Sequence, residues 1–333
     1  MDVGTGLFTC QRRPDDDRSF EAIYEEMLAL GRAIDEAGLA SAWVSEHHFA
    51  DDGYLPGTMP ALGALAAATD SIDLGTCIAL APLYDPVRLV EDAATVDLLS
   101  AGRMHLGLSI GYRDEEFQRF GIPKEERVER TVEAVELARA AWRGGTFEPR
   151  FHPVGADAPV TPRPSGDGPP ILLGGSAKPA VRRAARLADG WIAPSSLGAE
   201  GLRVRVEDIR RVRDAEGLDG PFQIYVLKHG FVADSAEEAW EAIRPGYFYL
   251  QRRYAGWYAG EPVDTLSSER QAELRDAAIV GPPASVADEL ADIAELVGED
   301  VHVILRTYFP GIGTERMRTA IHRLGDEVLP QLP

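Results

Sequence analysis

The stretch Gly168–Trp191, GPPILLGGSAKPAVRRAARLADGW, decides the fold of this chain. A short apolar run stops at two glycines, and small and apolar residues then recur at helical spacing. The stretch therefore predicts a strand, a glycine turn, a helix and the start of another strand. The first amides of such a helix lack internal partners and can bind an anion. We predict a phosphate site at Gly174, Gly175 and Ser176, the alternative being an ordinary strand-to-helix turn.

The same strand–helix unit recurs along the 333 residues. Each candidate strand is an apolar run followed by a helical pattern, and the runs lie at 3–8, 41–45, 72–80, 104–110, 170–174, 190–194, 222–232 and 301–305. Strict alternation predicts an α/β fold with a parallel sheet, and eight units indicate a closed (β/α)8 TIM barrel. A doubly wound open sheet is the alternative, although its dinucleotide fingerprint is missing.

We expect one domain over residues 1–333, interrupted by two insertions. The segment 146–168 is rich in proline and glycine and has no periodicity. The second insertion, 246–280, follows Pro245, which we expect to end a helix. Both segments would lie over the mouth of the barrel and govern the choice of substrate.

Composition excludes several classes of function. A net charge of −20 argues against binding of nucleic acid, and no apolar run is long enough for a membrane span. The first residues lack the pattern of a signal peptide, so we expect a cytoplasmic protein. Cys10 and Cys77 lie inside apolar runs and should be free buried thiols, and no metal-ligand spacing occurs.

Adjacent histidines follow the second candidate strand. In a barrel the residues after each strand ring one mouth, where the active site lies. Neighbouring side chains at a strand end point in different directions. His47 or His48 would therefore face a ligand and move protons, while the other is held by a neighbour such as Glu46. The alternative is a pair of structural histidines.

Two further segments at the predicted mouth carry reactive groups. Tyr112 and Arg113 precede three acidic residues, which is typical of a helix start. Alternatively, Arg113 or a later arginine, Arg127 or Arg130, faces the phosphate. Ser109 has the letters of a nucleophile elbow around it but lies in a strand pattern, so a hydrolase is a distant alternative.

In their joint order, these segments resemble the bacterial luciferase-like, flavin-dependent monooxygenases over nearly the whole chain. The matching segments are Trp43–Phe49, Leu74–Pro82 with Asp85–Arg88, Leu98–Arg103, Gly107–Arg113 with Glu116–Phe117 and Phe120–Gly121, Pro170–Ser176, Ala184–Trp191, Gly281–Pro283 with Val286–Asp288, and Leu305–Thr307 with Pro310–Gly311. Each segment alone is a weak signal.

The resemblance implies a TIM barrel, usually dimeric, that binds FMN or the deazaflavin F420 at its mouth. By position, Gly174, Gly175 and Ser176 would bind the flavin phosphate, and His47 would assist proton transfer near the reactive flavin position. A non-proline cis peptide is expected at Cys77–Ile78, beneath the flavin ring. The other candidate contacts are His48 on the catalytic side and Ser109, Tyr112 and Arg113 on the cofactor side.

The chain also departs from luciferase itself. Ile110 stands where luciferase has a basic residue, and Ser109 stands where it has a reactive cysteine. One phosphate contact must then come from elsewhere, and light emission is not implied. The resemblance implies a monooxygenase that receives reduced FMN from a flavin reductase and oxygenates a small organic substrate with O2. F420-dependent hydride transfer on the same fold is the alternative.

Overall fold

The strands form a closed parallel barrel. The computed structural model describes residues 1–151, 159–298 and 300–333. In these ranges the strands are β1 (Asp2–Phe8), β2 (Ser41–Val44), β3 (Asp73–Thr76), β4 (Ala79–Leu80), β5 (Met104–Ser109), β6 (Ile171–Gly174), β7 (Gly190–Ala193), β8 (Gln223–Val232), β9 (Ile279–Gly281) and β10 (His302–Arg306). The hydrogen-bonded order is β10–β1–β2–β3–β5–β6–β7–β8, and β8 pairs with β10 to close the ring. The predicted barrel is confirmed, and the open sheet is wrong.

Helices surround the barrel. They are α1 (Phe20–Glu36), α2 (Thr58–Ala68), α3 (Pro86–Leu99), α4 (Asp114–Phe120), α5 (Arg127–Trp142), α6 (Lys178–Leu187), α7 (Ala199–Glu216), α8 (Ala236–Ala259), α9 (Ser268–Asp276), α10 (Pro283–Val297) and α11 (Thr314–Arg323). Side-chain caps fix several starts, as where the Ser235 hydroxyl accepts from the Glu238 amide at α8. No helix in the described ranges is long and apolar enough to cross a membrane.

The prediction that Pro245 ends a helix is wrong. Helix α8 continues through it to Ala259. An internal proline costs about 3 kcal/mol. Burial of Ile243, Tyr247 and Leu250 offsets this cost, since each buried apolar side chain contributes roughly 1.5–3 kcal/mol. The segment 246–280 therefore begins inside a helix, and it ends in β9, a strand the sequence did not predict, which pairs with the end of β8.

The predicted strand over 72–80 is two strands. Strand β3 pairs with β2 and β5, while β4 pairs only with the end of β5. The Cys77–Ile78 peptide between them is cis, as the family resemblance implies. Of the other predicted insertion, 146–168, residues 152–158 lie outside the described residues, and the remainder contains no regular helix or strand.

The barrel interior is filled in layers. At the amino ends of the strands, the Trp43 indole N–H donates to Ser41 Oγ at 2.7 Å, and Ser41 Oγ lies 2.7 Å from His302 Nε2. Apolar side chains such as Leu172 and Ile304 form the layer above. This packing leaves the carboxyl ends of the strands as the place for a site.

Candidate active site

The Gly174–Ser176 turn joins β6 to α6 at the carboxyl end of the barrel. A Cβ at Gly174 would lie 2.3 Å from Ile78 Cδ1, so a larger residue there would displace the Ile78 side chain next to the cis peptide. Gly175 has φ +134°, a region that other residues rarely adopt. The Trp191 indole N–H donates to the Gly175 carbonyl at 2.8 Å and fixes the turn. Trp191 thus has a structural role at the turn.

The turn presents a set of unused donors. Helix α6 begins without a side-chain cap. Among the described residues, no acceptor pairs with the amides of Gly175, Ser176, Ala177 or Lys178, nor with the Ser176 hydroxyl. Convergent N–H and O–H donors at a helix start are the groups that bind a phosphate. The donor set therefore fits the phosphate group of a flavin.

His47 is buried and oriented by a carboxylate. Its Nδ1 lies 2.9 Å from Glu116 Oε1, and Glu116 is fully buried. The His47 contact, the His48 amide and the Arg113 guanidinium together hold the pKa of Glu116 below its usual value, although burial opposes them. An ionised carboxylate only accepts hydrogen bonds, so Nδ1 of His47 carries the proton. Its Nε2 is left for proton transfer, with the Tyr112 hydroxyl 3.5 Å away.

His48 has the role predicted for the second histidine. Its Nε2 lies 2.7 Å from Glu46 Oε1. The other oxygen of Glu46 accepts from the Leu80 amide and the Tyr84 hydroxyl, at 3.2 and 2.8 Å. Glu46 therefore links His48 to the end of β4 and to Tyr84. Of the two histidines, His47 has the ring nitrogen available for chemistry.

The Arg113 guanidinium is engaged by hydrogen bonds and ion pairs within the protein. Its guanidinium donates to the His48 carbonyl at 2.6 Å, pairs with Glu115 and Glu116, and lies 4.3 Å from the centre of the Trp257 ring. These contacts favour a role in positioning Glu116 over a role in binding phosphate. Arg127 and Arg130, the other arginines considered, are also engaged, by the Lys124 carbonyl and by Glu126.

Aromatic side chains of α8 cover His47. The Trp257 ring centre lies 4.6 Å from that of His47, and the Tyr254 ring lies at 5.9 Å. The Tyr254 hydroxyl also bonds the Tyr54 hydroxyl at 2.8 Å. Tyr258, which is largely exposed, stacks on Tyr112 at 4.4 Å. The half of α8 beyond Pro245 is therefore a wall of the site.

The remaining predicted contacts lie at the same end of the barrel. Ser109 is the last residue of β5 and pairs in register with Leu80 of β4. Cys77 and Cys10 are both free and buried, as predicted, and burial raises the pKa of the Cys77 thiol to about 12. Neither thiol is a nucleophile at neutral pH. No group of three or more potential metal ligands occurs among the residues that the structure describes.

Two polar residues inside the barrel, Arg306 and His229, were given no role in the predictions from sequence. Arg306 ends β10 opposite His229 of β8, two positions beyond the interior residue Ile304. Its guanidinium donates to the Tyr308 carbonyl and to the Thr9 hydroxyl, and it pairs with no carboxylate in the described ranges. Burial and the Arg306 charge hold the pKa of His229 well below its usual value. Side chains alternate between the two faces of a strand. Because Tyr225 lies inside the barrel, an even spacing along β8 places His229 inside as well.

A family model for luciferase-like monooxygenases matches residues 1–300 of the chain. The oxygenase component of flavin-dependent trigonelline monooxygenase from Acinetobacter baylyi is 25% identical over 97% of this chain and 94% of its own length. An F420-dependent glucose-6-phosphate dehydrogenase from Beutenbergia cavernae is 34% identical, over only 53% of this chain and 54% of its own length.

Solved structures agree over the whole barrel. The monooxygenase RslO1 from Streptomyces bottropensis superposes with a TM-score of 0.87 at 26% identity, covering 99% of both chains. The oxygenating constituent of 3,6-diketocamphane monooxygenase from Pseudomonas putida, in complex with FMN, has a TM-score of 0.79 at 19% identity, covering 99% of this chain and 98% of its own. The second likeness concerns the fold alone. The family match and the barrel together show that the chain belongs to the luciferase-like monooxygenase family and is an oxidoreductase.

Proposed function

We propose that this protein is the oxygenase of a two-component, FMN-dependent monooxygenase that oxygenates a small organic substrate. Support comes from the trigonelline enzyme, a flavin-dependent oxygenase component that this chain matches over 97% of its length. The diketocamphane constituent, which has the same fold, binds FMN. A separate flavin reductase is the partner that this arrangement requires.

The observation that carries the proposal is the β6–α6 turn. Its unpaired amides and the Ser176 hydroxyl would hold the phosphate of FMN. The flavin ring would extend across the mouth, over Cys77 and Ile78 and towards His47. When bound, reduced flavin supplies the activation of O2, and the protein supplies binding, orientation and proton transfer.

The residues of the chain have separable tasks in this scheme. Glu116 fixes the His47 ring so that Nε2 takes up or delivers a proton at the ligand. Tyr254 and Trp257 exclude water from that nitrogen. Arg306 places a buried positive charge beneath the mouth, where it would face electron-rich atoms of the flavin ring or of the substrate.

Spectroscopy of the purified protein tests the proposal. Reduced FMN is added in air, and its reoxidation is followed with and without protein. We expect the protein to bind FMN and to change the time course of its oxidation. A protein that binds no flavin in any redox state would contradict the proposal and favour the hydrolase alternative.

F420-dependent hydride transfer is the second candidate. It is supported by the F420-dependent relative, which nevertheless aligns with only about half of this chain. Titration with each cofactor in both redox states separates the two candidates. A response to F420 without a response to FMN would reverse the assignment.

We further propose a cytoplasmic homodimer. The dimer is supported by the family resemblance and by Leu98 and Leu99, which lie exposed at the end of α3. Light scattering at micromolar concentration is expected to give twice the chain mass of 36.2 kDa. A chain-sized mass would contradict the dimer.

A further inference from the structure

The proposed phosphate site lacks an evident positive charge. Its donors are backbone amides and one hydroxyl, none of which carries a charge. A phosphate monoester carries a charge of about −1.5 to −2 at neutral pH. Because the whole chain carries −20, a neutral set of donors would bind this anion against an unfavourable surrounding charge.

Half of the arginines on α6 and α7 are neutralised by carboxylates. Arg182 and Arg211 both pair with Asp208, and Arg186 pairs with Glu216. These guanidinium groups are therefore occupied by ion pairs along the helices. They do not supply the missing charge at the turn.

Arg205 of α7 differs from these arginines. Its Nε donates to the Ser176 carbonyl at 3.2 Å, which holds the guanidinium beside the turn. Among the described residues it has no carboxylate partner, and its two terminal nitrogens have no acceptor. Long helical side chains lean towards the helix start, which for α7 lies at the mouth. Because Nε contacts the Ser176 carbonyl, the guanidinium lies beside the turn that carries the free amides.

We propose that Arg205 is the cationic ligand of the cofactor phosphate. Its Nε holds the Ser176 carbonyl, and its terminal nitrogens bind two phosphate oxygens, a geometry that suits guanidinium groups. The inference rests on the proposed flavin function and names the charge that makes the site selective for a phosphorylated flavin. Lys178 is a weaker candidate because no contact in the described structure fixes its exposed side chain.

The test compares FMN with riboflavin, which has the same ring and sugar chain but no phosphate. In Arg205→Gln, FMN affinity is expected to fall at least about tenfold, while riboflavin affinity stays within about twofold. Arg205→Lys should recover part of the loss. Affinities are measured by fluorescence quenching at low salt, since the ionic contribution is screened as salt rises.

Arg203→Gln is the matched control. Arg203 lies two residues earlier on α7 and pairs with Glu200 and Glu207, so its loss should change neither affinity. Unchanged FMN affinity in Arg205→Gln, or an equal loss for both ligands, would overturn the inference. If the wild type does not prefer FMN to riboflavin, the phosphate turn itself fails and this inference fails with it. A wild type that prefers FMN, with no change in Arg205→Gln, would overturn the role of Arg205 alone.

Discussion

The two ends of the barrel treat polar groups in opposite ways. At the amino end, Ser41 Oγ accepts from the Trp43 indole and shares a second hydrogen bond with His302 Nε2. Burial holds the pKa of His302 at about 3, so this histidine is neutral and the network is complete. At the carboxyl end, buried atoms such as Glu116 Oε2 and His229 Nδ1 have no hydrogen-bond partner.

This difference indicates that polar groups at the amino end serve the stability of the fold, whereas those at the carboxyl end serve function. Hydrogen-bonded polar groups at the amino end stabilise the fold, because leaving any of them unpaired costs about 1–3 kcal/mol. We propose that unpaired polar groups at the mouth, such as the donors of the β6–α6 turn, serve a ligand. Changes at the amino end should therefore lower stability, and changes at the mouth should lower ligand affinity or turnover.

The largest expected effect is at His47. The change His47→Gln removes the ring nitrogen that we propose faces the ligand, and turnover should fall roughly 10²–10⁴-fold while FMN still binds. Product formation is measured with whichever substrate the wild type oxygenates. His48→Gln is the matched control, since glutamine can still bond Glu46, and its turnover should stay near that of the wild type. Full activity in His47→Gln would remove His47 from the mechanism.

A change at the amino end of the barrel sharpens the comparison. Ser41→Ala leaves both the Trp43 N–H and His302 Nε2 unpaired in the interior. We expect the free energy of unfolding to fall by about 1–3 kcal/mol, measured in urea. FMN affinity at 25 °C should stay within about twofold. A variant of unchanged stability would show that the network is not a stabilising element.

Acid should lower the free energy of unfolding through His302, at the amino end of the barrel. The pKa of His302 is about 3 in the folded chain and about 6.5 when unfolded, so below pH 6.5 the unfolded state binds more protons. Stability is complete above pH 6.5 and is lost as pH falls towards 3, by at most about 1.4 kcal/mol per pH unit for this group. The depressed pKa of His229 acts in the same direction.

Urea unfolding between pH 5 and 8 measures this dependence. His302→Gln should be less stable at pH 7 but should show a flatter decline below pH 6.5. A variant with the slope of the wild type would contradict the role of His302.

The sequence predicted features that depend on neighbouring residues. Strand and helix periodicity gave the eight units of the barrel, and family resemblance located the cis peptide at Cys77–Ile78. Glu46 was named as a partner for the histidine pair because it is adjacent to them, and it bonds His48. Local pattern or family resemblance was sufficient in these places.

Features that depend on distant contacts could not be predicted in this way. The continuity of α8 through Pro245 follows from its burial against the rest of the barrel. The orientation of His47 by Glu116 joins residues 69 positions apart, and the contact of Tyr54 with Tyr254 joins residues 200 positions apart. Arg205 likewise reaches Ser176 from the next helix. One sequence has no local signal for such pairs.

The central claim is that the β6–α6 turn holds the phosphate of a flavin, and Ser176→Ala tests it most directly. The variant makes the same chemical change as Ser41→Ala, at the opposite end of the barrel. We expect unfolding free energy within about 0.5 kcal/mol of the wild type. FMN binding should weaken by roughly 1 kcal/mol or more, and riboflavin binding should not change, as measured by fluorescence titration. Equal affinity of the wild type and Ser176→Ala for FMN would contradict the claim.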